Sequence, residues 1–185
     1  MPVPRLEAIP DPELRRRAAE FLERYWPNSE IPIDFEQIVN IQLAIDILPT
    51  PRLSELNETD GFITSDGRRI YMDEQIHRAK TKYTYLFMLA HEVAHLVLHQ
   101  PLLAAAGYET MTEWKRFHDG LPEDDRQRFE YEATVFAGSR RLDAARSPNR
   151  SRRTNWRSGC PIARPESILT ESCAPPSKRR HGARE

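Results

Sequence analysis

The feature that most constrains this chain is a break in its chemistry after Gly138. Residues 1–138 carry 15 Lys/Arg against 24 Asp/Glu, a balance of −9. Residues 139–185 carry 12 against 4, a balance of +8. Eleven arginines and five prolines fall in those last 47 residues, Trp156 is their only aromatic, and no apolar period runs through them. Such a stretch buries too little surface to offset its ordering entropy, so residues 139–185 are predicted to form a disordered basic tail. A folded core is therefore expected within the first 138 residues, enough for one domain.

Composition removes several classes of function. No run approaches the ~20 apolar residues of a membrane span, so no membrane-embedded role is expected. The opening MPVPRLEAIPDPELRRR lacks the apolar centre of a secretory signal, and a cytoplasmic location is expected. Cys160 and Cys173 stand 13 residues apart without a C-x-x-C pair, which argues against a disulfide scaffold or a cysteine-based zinc knuckle. The arginine-rich tail could act as a nucleic-acid arm, but it lacks interleaved aromatics, and direct nucleic-acid binding is not expected.

Periodicity outlines the core. Leu14, Ala18, Phe21, Leu22 and Tyr25 share one stripe of a helix predicted over Pro12–Trp26. Asp34 followed by Gln37 resembles a capping box and predicts a short helix from Phe35 to about Asn40. Leu43–Leu48 reads as a strand ended by Pro49. Gly61–Thr64 and Arg69–Met72 flank Ser65-Asp66-Gly67-Arg68 and predict a hairpin. A long helix is expected from about Thr81 to His99, stopping before Pro101. After a connecting stretch, another helix is expected from Leu121-Pro122 to about Gly138. The predicted class is α+β, a small antiparallel sheet packed on helices.

The chemistry lies in Leu89-Ala90-His91-Glu92-Val93-Ala94-His95-Leu96-Val97-Leu98-His99. H-E-x-x-H sets two imidazoles one turn apart, about 40° from each other around the helix, so His91 and His95 can share a metal ion. Glu92 lies about 100° further round, placed to take a proton from a metal-activated water. Zinc suits nitrogen and oxygen donors and lowers the pKa of bound water to about 7. Leu86, Leu89, Val93, Leu96 and Val97 fall on the opposite face, predicting a helix buried on one side with its histidines toward a cleft. His99 continues the histidine face but lies about 12 Å along the axis from His91, too far to share an ion. It reads as a packing or supporting histidine. His77 and His118 read as surface residues.

A third protein ligand is expected. The downstream helix offers Glu130 and Glu132. Glu130 shares its face with the smaller Thr134 and Ala137, which permit close approach of the two helices and favour it, while Glu132 stays as the alternative.

LAHEVAHLVLH followed some thirty residues later by FEYEATVFAG resembles the ImmA/IrrE-type metallopeptidases, whose pattern is H-E-x-x-H with a trailing L-H, then E-x-E-A-N-x-F-A and an apolar L-L-x-P end. The resemblance covers residues 28–138, leaving 1–27 as an N-terminal helix and 139–185 as the tail. It implies a compact zincin-like domain with His91, His95 and Glu130 as zinc ligands, manganese being possible, and Glu92 as general base. It further implies a zinc-dependent endopeptidase whose protein substrate is a helix-turn-helix repressor, cleaved to release stress or mobile-element genes. Candidate oxyanion helpers are Tyr131 and His99.

Two departures from the pattern stand out. Thr134 occupies the Asn position, which weakens the expected support of a ligand. After Gly138 the apolar end is replaced by SRRLDAARSPNRSRR, which suggests a tail translated out of frame; the gene's other two frames test this. The altered end also leaves a second class of function open: a catalytically impaired metal-binding module that acts by holding a regulator or toxin-antitoxin partner.

Overall fold

The structure, a computed structural model, describes residues 6–27, 33–79 and 83–139. The predicted tail beyond Ser139, with Trp156 and both cysteines, lies outside the described residues. The first helix, α1 (Asp11–Tyr25), carries Pro12 in its first turn and buries Leu14, Ala18, Phe21 and Leu22, the stripe read from the sequence. Asp34 then caps α2 (Phe35–Gln37) by accepting the Gln37 N–H at 2.9 Å, and the chain continues through one wider helical turn, Ile38–Gln42.

Three strands among the described residues form one sheet, in the order β1 (Asp46–Thr50), β3 (Arg69–Asp73), β2 (Gly61–Ile63). The expected hairpin is β2–β3, antiparallel, with Phe62 opposite Tyr71. β1 instead joins β3 in parallel, with Ile47 opposite Ile70, so the sheet is mixed rather than wholly antiparallel. The connection explains this: the short helix α3 (Leu53–Asn57) and β2 lie between β1 and β3, and the chain returns in the original direction. Pro49, expected to end the strand, lies within it, as an edge position permits. Gly67 closes the hairpin loop at φ 68°, where a side chain would also meet Leu96 Cδ1 at 2.7 Å.

After α4 (Glu74–Arg78) comes the central helix α5, Tyr83–Ala106. It does not stop before Pro101. His99 leaves helical geometry at φ −118° and ψ 16°, and a further helical stretch continues through the proline to Ala106. Proline cannot donate to the preceding turn and clashes with it, so the helix kinks there. Residues Leu89 to His95 are all buried, and Val97, expected in the core, is exposed.

The stretch read as a connection holds a helix, α6 (Met111–Gly120), started by a complete capping box between Thr110 and Glu113. The last helix, α7 (Glu123–Ala137), packs along α5 and against α1. Phe21 of α1 touches both Phe35 and Phe136 at 6.0 Å between ring centroids, so the N-terminal helix shares one apolar core with α5, α7 and the sheet. The class is α+β. Among the described residues no helix is long and apolar enough to cross a membrane.

Candidate metal centre

Helical periodicity on α5 places His91 and His95 side by side, with their Nε2 atoms 3.2 Å apart. The packing of α7 on α5 brings Glu130 across to them. Its Oε2 lies 3.1 Å from His91 Nε2 and 3.9 Å from His95 Nε2. An ion held tetrahedrally at 2.0–2.1 Å requires its ligands to stand about 3.3–3.4 Å apart. The three donor atoms form such a triangle, somewhat long on one edge, and the set of two imidazole nitrogens and one carboxylate oxygen could hold a divalent metal ion. Glu132 does not join them. It sits about 200° round α7 from Glu130, buried, with Oε2 3.1 Å from His99 Nε2.

Electrostatics agree with that fit. Burial alone would raise the Glu130 carboxyl, but His118 and His91 outweigh it and hold it well below the usual range. Burial pushes His95 well below its ordinary value, keeping a lone pair available despite the attraction of Glu130. Burial also opposes charge on His91, yet the hydrogen bond and charge of Glu130 prevail and raise it. The pocket therefore draws positive charge to the point where the three donors converge.

Glu92 lies with its carboxylate against β2, within 3.7 Å of where a side chain on Gly61 would begin. Burial raises its carboxyl to about 7, with His91 and the Ile63 N–H opposing the rise and Glu130 adding to it. A carboxyl with a value near neutrality can release or take up a proton under ordinary conditions, here beside a cluster of potential metal-ligating donors. β2 is an edge of the sheet, and Gly61, where a side chain would meet Tyr71 O at 2.9 Å, brings the backbone close to Glu92.

The remaining residues of interest are placed as follows. His118, read as a surface residue, stacks on Trp114 at 4.9 Å and lies 3.3 Å from Glu130 Oε1, its side chain 17% exposed. The signal that would have found it was Thr110-x-x-Glu113, whose helix carries Trp114 and His118 one turn apart. His77 meets the Tyr85 ring edge-on at 6.0 Å. Tyr131, a candidate oxyanion helper, faces α1 and donates to Asp11 Oδ1 at 2.9 Å. His99, the other candidate, is buried and turned toward Glu132. Thr134 Oγ1 and His91 Nδ1 are both buried without a hydrogen-bond partner among the described residues. Compared with protein families, curated proteins and solved structures, the chain matches none.

Proposed function

We propose that this protein is a zinc-dependent endopeptidase, with His91, His95 and Glu130 as the ligand set and Glu92 as the general base. The observation that carries the reading is the near-tetrahedral triangle of Nε2, Nε2 and Oε2 beside a buried carboxyl raised to about 7. Bound zinc supplies Lewis acidity toward a scissile carbonyl and lowers the pKa of the attacking water. Glu92 is the residue that would take a proton from an attacking water and pass it to the leaving amine. Manganese is the alternative ion for the same donors.

The substrate class follows from the resemblance to ImmA/IrrE-type peptidases: a helix-turn-helix repressor in the cytoplasm, held as an added strand along the edge of β2. One observation favours the second reading, a metal-binding module that holds its partner intact: His91 Nδ1, which a peptidase ligand needs anchored, has no partner among the described residues.

Co-expression of the chain with a helix-turn-helix protein encoded beside it separates the two. The peptidase yields cut fragments, and Glu92→Gln abolishes the cut while metal content stays at one ion per chain. An intact, co-purifying complex with the unaltered chain overturns the peptidase reading in favour of the binding module.

A further inference from the structure

Beyond the three ligands, a line of buried side chains runs from His95 to the N-terminal segment. His95 Nδ1 lies 3.2 Å from His99 Nδ1, and His99 Nε2 lies 3.1 Å from Glu132 Oε2. The second carboxylate oxygen, Glu132 Oε1, accepts the backbone N–H of Ile9 at 2.8 Å. His99 and Glu132 are each at most 2% exposed, and the Phe129 ring stacks on the His95 imidazole at 4.0 Å and lies tilted against that of His99 at 4.6 Å. Water is thereby kept from substituting for any member.

We propose that Glu132 and His99 are positioning residues that fix the proton of His95 on Nδ1, leaving its Nε2 lone pair directed at the ligand triangle. The argument is an inventory of donors and acceptors. A carboxylate only accepts, so His99 Nε2 carries the hydrogen that faces Glu132. With His99 neutral, its Nδ1 is bare, and the His95 Nδ1 opposite it donates. One proton remains for one imidazole, and His95 Nε2 is left unprotonated, as a metal ligand requires. The kink before Pro101 contributes to this: His99 departs from helical φ and ψ, at the position where its ring meets both His95 and Glu132. The Ile9 N–H ties the same carboxylate to the segment leading into α1, so the N-terminal segment supports the site without touching it.

The inventory makes an unusual demand of one isosteric change. In Glu132→Gln the Ile9 N–H still requires an oxygen, which turns the amide NH₂ toward His99. His99 Nε2 then accepts, His99 Nδ1 carries the hydrogen, and His95 is driven to the tautomer with Nε2–H facing the ligands. A residue that merely filled space would tolerate this substitution.

The proposal rests on the metal reading of His91, His95 and Glu130, and its test is built to fail separately. In the metal-free 185-residue chain, long-range ¹H–¹⁵N correlation of labelled histidines is expected to show His95 protonated at Nδ1 and bare at Nε2. Protonation at His95 Nε2 overturns the proposal, whether or not zinc binds. Titration of Zn²⁺ against a chromophoric chelator is expected to show Glu132→Gln about 10- to 100-fold weaker than the unaltered chain. It is also expected to move the His95 resonances to the opposite tautomer, with an unchanged circular dichroism spectrum. Unchanged affinity together with an unchanged tautomer in that variant overturns the relay. Should Glu132→Gln fail to fold, the tautomer of the unaltered chain decides alone. Absence of zinc binding by the unaltered chain sinks the metal reading but leaves the tautomer measurement decisive for the relay.

Discussion

His118 Nε2 lies 3.3 Å from one oxygen of Glu130, while the other oxygen lies 3.1 Å from His91 Nε2. A single carboxylate is thus shared between an imidazole that orients it and the pair of imidazoles it completes. Trp114 fixes the orienting ring by stacking at 14° between planes. Without His118, Glu130 regains rotamer freedom and the half-buried carboxylate loses its strongest neighbour. His118→Ala is expected to weaken Zn²⁺ binding by about tenfold or more, read by chelator competition, with His118→Gln recovering part of the loss. Equal affinities in all three proteins refute the orienting role.

Glu92 carries a cost in the metal-free protein. Its carboxyl is raised from 4.5 to about 7, chiefly by burial, so the folded state holds a proton that the unfolded state has already released. The favourable contribution is fully present below about pH 4.5 and is lost as pH rises through about 7. With chelator present, Glu92→Gln is expected to be the more stable protein at pH 8, by up to about 3 kcal/mol, and equal to the unaltered chain at pH 4.5. Urea unfolding at the two pH values measures this, and a difference that does not grow with pH contradicts it.

Asp73 behaves in the opposite sense. Burial raises its carboxyl, but the N–H groups of Ser54 and Gln75, at 3.0 and 2.8 Å, prevail and leave it below its ordinary 3.8. The one side chain caps α4 and pins the start of α3 to the sheet. Its contribution is present above the unfolded value near 4 and is lost as pH falls through the lower folded value. Asp73→Ala is expected to cost about 1–3 kcal/mol at pH 7, with the gap to the unaltered chain narrowing below pH 4. Thermal unfolding across that range checks it.

Thr134 Oγ1 and His91 Nδ1 are both buried without partners among the described residues, and Thr134 lies one turn beyond Glu130, which itself reaches His91. A longer side chain carrying an acceptor at 134 is expected to take the His91 Nδ1 hydrogen and hold that ring in its ligating tautomer. Thr134→Asn is therefore expected to tighten Zn²⁺ binding by about tenfold, whereas Thr134→Val leaves it near the parent value. Weaker binding by Thr134→Asn shows that the space beside His91 does not admit the longer group.

Local spacing carried much of this architecture. The α1 stripe, the Asp34 cap, the Asp66-Gly67 hairpin and the proline-led α7 all rest on residues within a turn or two of one another. At Pro101 and at β1, where sequence and structure diverge, a distant contact prevailed. Pro101 lies inside a kinked helix because the apolar residues beyond it, Leu102 and Leu103, are buried in the same core. The parallel placement of β1 depends on a return path that periodicity does not encode. Met111–Gly120 is a helix where the sequence is read as a connecting stretch, although its Thr110–Glu113 capping box is a local signal.

By itself the sequence determined that two imidazoles share a helix face with an acid beside them, since 3.6 residues per turn leaves no other arrangement of H-E-x-x-H. Only the tertiary structure decided which carboxylate meets them. Glu130 and Glu132 differ by about 200° around one helix, and the rotation of α7 is set by how its apolar residues, Phe129, Ala133 and Phe136, settle against α5 and α1. The same packing drew His118 inward from the neighbouring helix and carried the Ile9 N–H to Glu132, 123 residues away in the chain, contacts that no local spacing contains.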